Sequence, residues 1–120
     1  MKSAKVLFYN KHTTLKQIKE AVDISHRIGF FTAGTFILGA PFETRKHFHN
    51  TIKFAKTLPL DSVSFLPLRY MVGSTLWKNA VDEGKIKEDE YVVIAGGEYN
   101  LGWFTQKELI SYCRLAQLSI

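Results

Sequence analysis

The stretch Thr35–Thr44, TFILGAPFET, runs an apolar segment into Gly39, then Pro41, then a Glu43–Thr44 pair able to open a helix. A glycine at that point lets a ligand come against main chain where a Cβ would intrude, and a proline two residues on fixes the bend. The chemistry such a turn suits is the holding of a flat or polar ligand by backbone contacts. Ligands of open and barrel-like β/α folds sit at the carboxyl ends of strands, which is where this turn falls. The same two residues also serve as plain loop punctuation. Cys113 is the one cysteine, so the chain carries no disulfide, no CxxC pair and no thiolate set for a cluster or a structural zinc. Its place among apolar neighbours in a predicted helix makes it a small core residue.

Other chemistry-bearing residues read more plainly. His47 and His49 stand two apart on a helical segment and face different ways, and neither they nor His12 and His26 find a third ligand in register, so no metal site is expected. Tyr70, Trp77, Tyr99 and Trp103, with Arg69 and Lys78 nearby, have the composition of a base-stacking surface. They also fit an aromatic core under a short lid, which is the expectation. Gly96–Gly97 lacks the lysine or the GxGxxG frame of a phosphate cradle and reads as a turn.

The elements that position these residues follow from periodicity. TTLKQIKEAVDISHRIG carries Leu15, Ile18, Ala21, Val22, Ser25 and Ile28 at helical spacing, with Thr14 and Gln17 as a capping box and Gly29 as the stop. FFTAGTFIL follows as a near-continuous run of β-formers, the pattern of a strand covered on both faces. TRKHFHNTIKFAKTL then places Phe48, Ile52, Ala55 and Leu58 on one stripe between Thr44 as N-cap and Pro59. DSVSFLPL returns to strand character, giving an α, β, α, β order with parallel right-handed crossovers. A short helix in GSTLWKNAVDEGKI, an extended piece in EYVVI and a helix in TQKELISYCRLAQ with a Thr105–Glu108 capping box complete the chain. KVLFY near the start offers a third strand. Two or three parallel strands are too few for a closed barrel, and an edge beside Phe30–Leu38 would be exposed. The fold class is therefore α/β, a partial (β/α) barrel fragment with flanking helices and a C-terminal helical extension.

Composition sets the outer limits. The chain has 120 residues, 46% of them hydrophobic and 22% charged, the balance of a single soluble globular domain. The formal charge of +5 is spread over several helices and reads as solvated faces, so neither nucleic acid nor a membrane is an expected partner. The longest apolar run is too short to span a bilayer and the N-terminus lacks a signal-peptide core, so a cytoplasmic location is the expectation.

From about Lys11 to Ile86 the sequence resembles the second half of the radical S-adenosylmethionine barrel, in the branch of Fe-S oxidoreductases that often carries a cobalamin-binding domain. The resemblance rests on Lys11 and the Thr13–Thr14 pair before the first helix, on Gly39, Pro41, Glu43 and Thr44 at a strand end, and on SVSFLPL with GSTLW. Thr35 stands where the stricter pattern has a first glycine, and Glu43 falls one position later than its glutamate. FTQKELISYCRLAQ is similar to the helix that follows that barrel.

The resemblance implies that Thr35, Ile37 and Gly39 lie near the adenine of S-adenosylmethionine, with Leu66, Pro67 and Leu68 closing the other wall. Glu43 is assigned to the helix dipole as a first-turn acid. The family's 4Fe-4S cluster needs three thiolates that this chain does not have, so the cluster, and cobalamin where used, belong to a missing N-terminal barrel half or a partner chain. Residues 1–86 would be the barrel portion and 87–120 the extension. The chain alone would be inactive, and its exposed edge predicts self-association into a homo-oligomer. The alternative is a small basic α/β module that binds RNA or a protein partner without a cofactor.

Overall fold

The computed structural model describes the backbone of residues 3–8 and all of residues 14–120. The features expected at Lys11, His12 and Thr13 lie outside the described residues. Helix α1 (Leu15–Ile28) opens where the Thr14 hydroxyl accepts the Gln17 N–H at 3.1 Å and Gln17 Oε1 accepts the Thr14 N–H at 2.9 Å. It closes at Gly29, whose φ of 91° is the left-handed conformation glycine takes without strain. Ile18 and Val22 are buried, whereas Leu15 and Ile28, counted in the same apolar stripe, are exposed.

Three parallel strands follow from the β-rich runs: β1 (Ser3–Phe8), β2 (Phe31–Leu38) and β3 (Ser62–Pro67), in the order β1-β2-β3. Strand β2 is thus the centre of the sheet, paired on both sides, and the exposed edge expected beside Phe30–Leu38 is not there. Strands pair with it on both sides, and among the described strands the edges of the sheet fall instead to β1 and β3. The expectation that β2 is covered on both faces is also corrected. Thr32, Gly34, Phe36 and Leu38 are buried, while Phe31 is exposed and Ala33, Thr35 and Ile37 are only partly covered, a period-two pattern with one packed face.

The packed face holds the core. Phe36 and Phe65, registered across β2 and β3, stack with ring centroids 5.5 Å apart. Helix α2 (Arg45–Lys56) adds Phe48 and Ala55. Fully burying a side chain of this size is worth roughly 2–3 kcal/mol, so Phe36 and Phe48 are major contributors. At the start of the strands Asp61 bridges β2: its carboxylate accepts the Thr32 N–H at 2.7 Å and its own N–H donates to the Thr32 carbonyl at 2.8 Å.

The remaining chain wraps the end of the sheet. A strand not foreseen, β4 (Arg69–Met71), pairs antiparallel with β5 (Val92–Ile94), and α3 (Thr75–Asp82) lies between them in sequence, capped by the Ser74 hydroxyl. Helix α4 (Gln106–Ser119), opened by the Thr105–Glu108 capping box, packs against β3. Leu109, Cys113 and Ala116 join the same hydrophobic core as Phe36 and Phe48, which therefore runs across the boundary at residue 86. The fold is a partial α/β unit, three parallel strands with flanking helices and a C-terminal helical extension, and its sheet is open. No helix among the described residues is long and apolar enough to cross a membrane.

Candidate functional site

The turn after β2 is held by one carboxylate. Glu43 is buried, and its Oε1 accepts both the Gly39 N–H at 3.0 Å and the Ala40 N–H at 2.8 Å, while the Glu43 N–H donates to the Ala40 carbonyl at 2.9 Å. Charge-assisted bonds of this kind are about twice as strong as neutral ones. The role expected of Glu43, a first-turn acid on the helix dipole, is replaced by this one. It precedes the N-cap Thr44, and its side chain turns back to the strand end. The amide groups of Gly39 and Ala40 are accordingly engaged within the chain.

Gly39 has φ +117°, a conformation that side-chain-bearing residues rarely adopt. A Cβ there would stand 3.0 Å from Leu109 Cδ1 and 3.7 Å from Leu68 Cβ. The bare backbone at this strand end makes room for the chain's own α4.

The six residues assigned to a cofactor wall divide by strand alternation. Thr35 and Ile37 lie on the open face of β2, registered with Ser64 and Leu66 of β3, and Leu66 is 45% exposed. These four form a patch with a hydroxyl pair beside an aliphatic pair, close to the carboxyl ends of the strands. Pro67 falls in the other alternating set, with Phe65. Leu68 is buried, donates its N–H to the Leu38 carbonyl at 2.8 Å, and faces Gly39. Ser64 was missed, although it stands two positions before Leu66 and alternation alone puts both on one face.

Other candidates have structural partners. The His47 Nδ1 accepts the Thr44 N–H at 3.1 Å at the start of α2, and its ring stands edge-on to Phe42. Tyr70 is buried, Trp77 Nε1 donates to the Glu90 carbonyl at 2.8 Å, and the Tyr99 hydroxyl donates to Glu90 Oε2 at 2.9 Å. These three belong to the packed structure, but Trp103, at 77% exposed, does not. The Lys87 N–H and the Tyr99 hydroxyl hold the Glu90 carboxyl below its usual 4.5, and the same Glu90 bond raises Tyr99. Burial lifts the Cys113 thiol from 9.0 to about 11, leaving it protonated and unreactive at neutral pH.

No family model matches the chain. A stretch of 74 residues, 62% of the chain, is 38% identical to an uncharacterized methyltransferase of Pyrococcus horikoshii. That match covers 16% of the methyltransferase, so the chain corresponds to a small part of that relative's length.

Proposed function

We propose that this chain is part of a larger S-adenosylmethionine-dependent enzyme of the radical S-adenosylmethionine type, in which it supplies a wall for the cofactor's adenine. The observation that carries the reading is the open-face patch of Thr35, Ile37, Ser64 and Leu66 near the carboxyl ends of two parallel strands. Ile37 and Leu66 offer a flat aliphatic seat to a ring, and the Thr35 and Ser64 hydroxyls offer donors and acceptors to its heteroatoms, the usual division of labour in a small-molecule site. Glu43 keeps the loop that follows β2 in one conformation through Gly39 and Ala40. Gly39 contributes as the pivot of that loop, and Pro67 and Leu68 support the wall from behind.

The designation of the matched relative as a methyltransferase is consistent with this cofactor, the common donor of methyl groups. S-Adenosylmethionine, when bound, supplies an activated carbon–sulfur bond. The residues of this chain orient the adenine and exclude water from one side of it. A four-iron cluster does not fit the chain, because its ligand set is three thiolates and Cys113 is a single buried cysteine in α4. The cluster ligands, and a cobalamin domain where one exists, belong to the remainder of a longer polypeptide or to a partner chain. The chain by itself is then catalytically inactive.

Two measurements test the reading. Translation of the source DNA upstream of Met1 should show a CxxxCxxC after a strand-like run, in frame or one shift away; its absence from several hundred codons would remove the radical assignment. Equilibrium dialysis with labelled S-adenosylmethionine should show weak binding that Ile37→Asp lowers at least tenfold with the far-ultraviolet circular dichroism unchanged. Equal binding by both proteins would remove the wall.

A further inference from the structure

The outer edge of β3 is occupied by a side chain. Gln117, in the last turn of α4, donates from Nε2 to the Val63 carbonyl at 2.6 Å and accepts the Phe65 N–H on Oε1 at 3.2 Å. Those two backbone groups flank Ser64. They are the pair that a single residue of a neighbouring parallel strand would engage, its N–H going to the carbonyl before Ser64 and its carbonyl to the N–H after it. One primary amide thus reproduces one rung of a parallel ladder. By alternation the next outward-facing position on this edge is residue 67, a proline with no N–H to offer.

We infer that Gln117 and Pro67 seal the β3 edge against strand addition, so that this sheet can be extended only at β1. The partner kept out is a second copy of this chain, since β3 of one copy, with the Gln117 amide withdrawn, would offer β3 of another the same row of backbone groups. Such an edge is a template for pairing unless it is blocked. The seal is independent of what binds the open face of β2 and β3, and its failure would leave the cofactor reading untouched.

The test compares the chain with Gln117→Ala and Pro67→Ala. Gln117 is exposed on a helix and alanine is a strong helix former, so the first variant should fold. In Gln117→Ala the amide exchange of Phe65 should rise at least tenfold, and sedimentation equilibrium should show self-association at least tenfold tighter than in the unaltered chain. Pro67→Ala, which restores an outward N–H, should also tighten self-association while leaving Phe65 exchange near the unaltered rate. Unchanged Phe65 exchange in Gln117→Ala, or unchanged association in both variants, would overturn the seal.

Discussion

Leu109 of the C-terminal helix packs on the α-carbon of Gly39, with Cδ1 3.0 Å from where a Cβ would stand. The turn at the end of β2 is therefore shaped from inside the molecule, by a residue seventy positions later in the chain. Gly39→Ala meets both a φ of +117° and this contact. It should lower stability by about 2–3 kcal/mol, from strain of the left-handed backbone plus crowding. Chemical denaturation of the two proteins, with the denaturant slope held constant, measures the difference.

Glu43 offers a finer test of the same turn. Glu43→Ala strands the Gly39 and Ala40 N–H groups in a buried position and should cost about 2–3 kcal/mol. Glu43→Gln keeps an oxygen where both bonds converge and should cost less than half as much. Equal losses in urea melts would show that the charge, and not the acceptor geometry, holds the loop.

Phe48 joins α2 to the far end of the chain. Its ring lies 5.1 Å from that of Phe104 and 5.3 Å from that of Tyr112, and Phe104 and Tyr112 are 5.5 Å apart. Phe48→Ala should cost about 3–5 kcal/mol, the range for emptying a buried aromatic site. Phe48→Leu should recover more than half of that. Near-ultraviolet circular dichroism should lose intensity in the alanine variant, since three rings order one another.

Cys113 gives the molecule an alkaline limit. Its pKa is about 11 in the folded chain and near 9.0 when the thiol is free in solution. The raised folded value means that its contribution to stability is complete below pH 9 and is lost as pH climbs toward 11, because the unfolded chain ionises first. Thermal melts at pH 8, 9, 10 and 11 should show a falling midpoint that Cys113→Ala flattens. A thiol reagent at pH 8 should react with the native chain far more slowly than with the urea-unfolded one.

Much of the frame is legible in the sequence because it is local. The Thr14–Gln17 and Thr105–Glu108 boxes and the stop at Gly29 each need residues three or four apart, and each is present where expected. Alternation likewise puts Thr35 and Ile37 on one face of β2, whereas it is the pairing of β3 that sets Leu66 beside Ile37. What was not legible depends on distant partners. Leu15 and Ile28 carry helical spacing but find nothing among the described residues to bury them. Strand β4 is three residues long and exists because β5 pairs with it. The duties of Glu43 and Gln117 are set by backbone groups they reach only after folding, across four residues in one case and 54 in the other.

The Asp61 bridge to Thr32 has a consequence for the precision of the whole sheet. It fastens the start of β2 to the residue just before β3 at one end, and the Leu68 N–H on the Leu38 carbonyl fastens the strands at the other. A one-residue slip of β3 against β2 would break both fastenings and turn Phe65 away from Phe36 onto the open face while drawing Ser64 and Leu66 inward. The two strands behave as a ruler with both ends pinned. The pairing of Thr35 with Ser64 is then a fixed register, unaltered by whatever strand joins at β1.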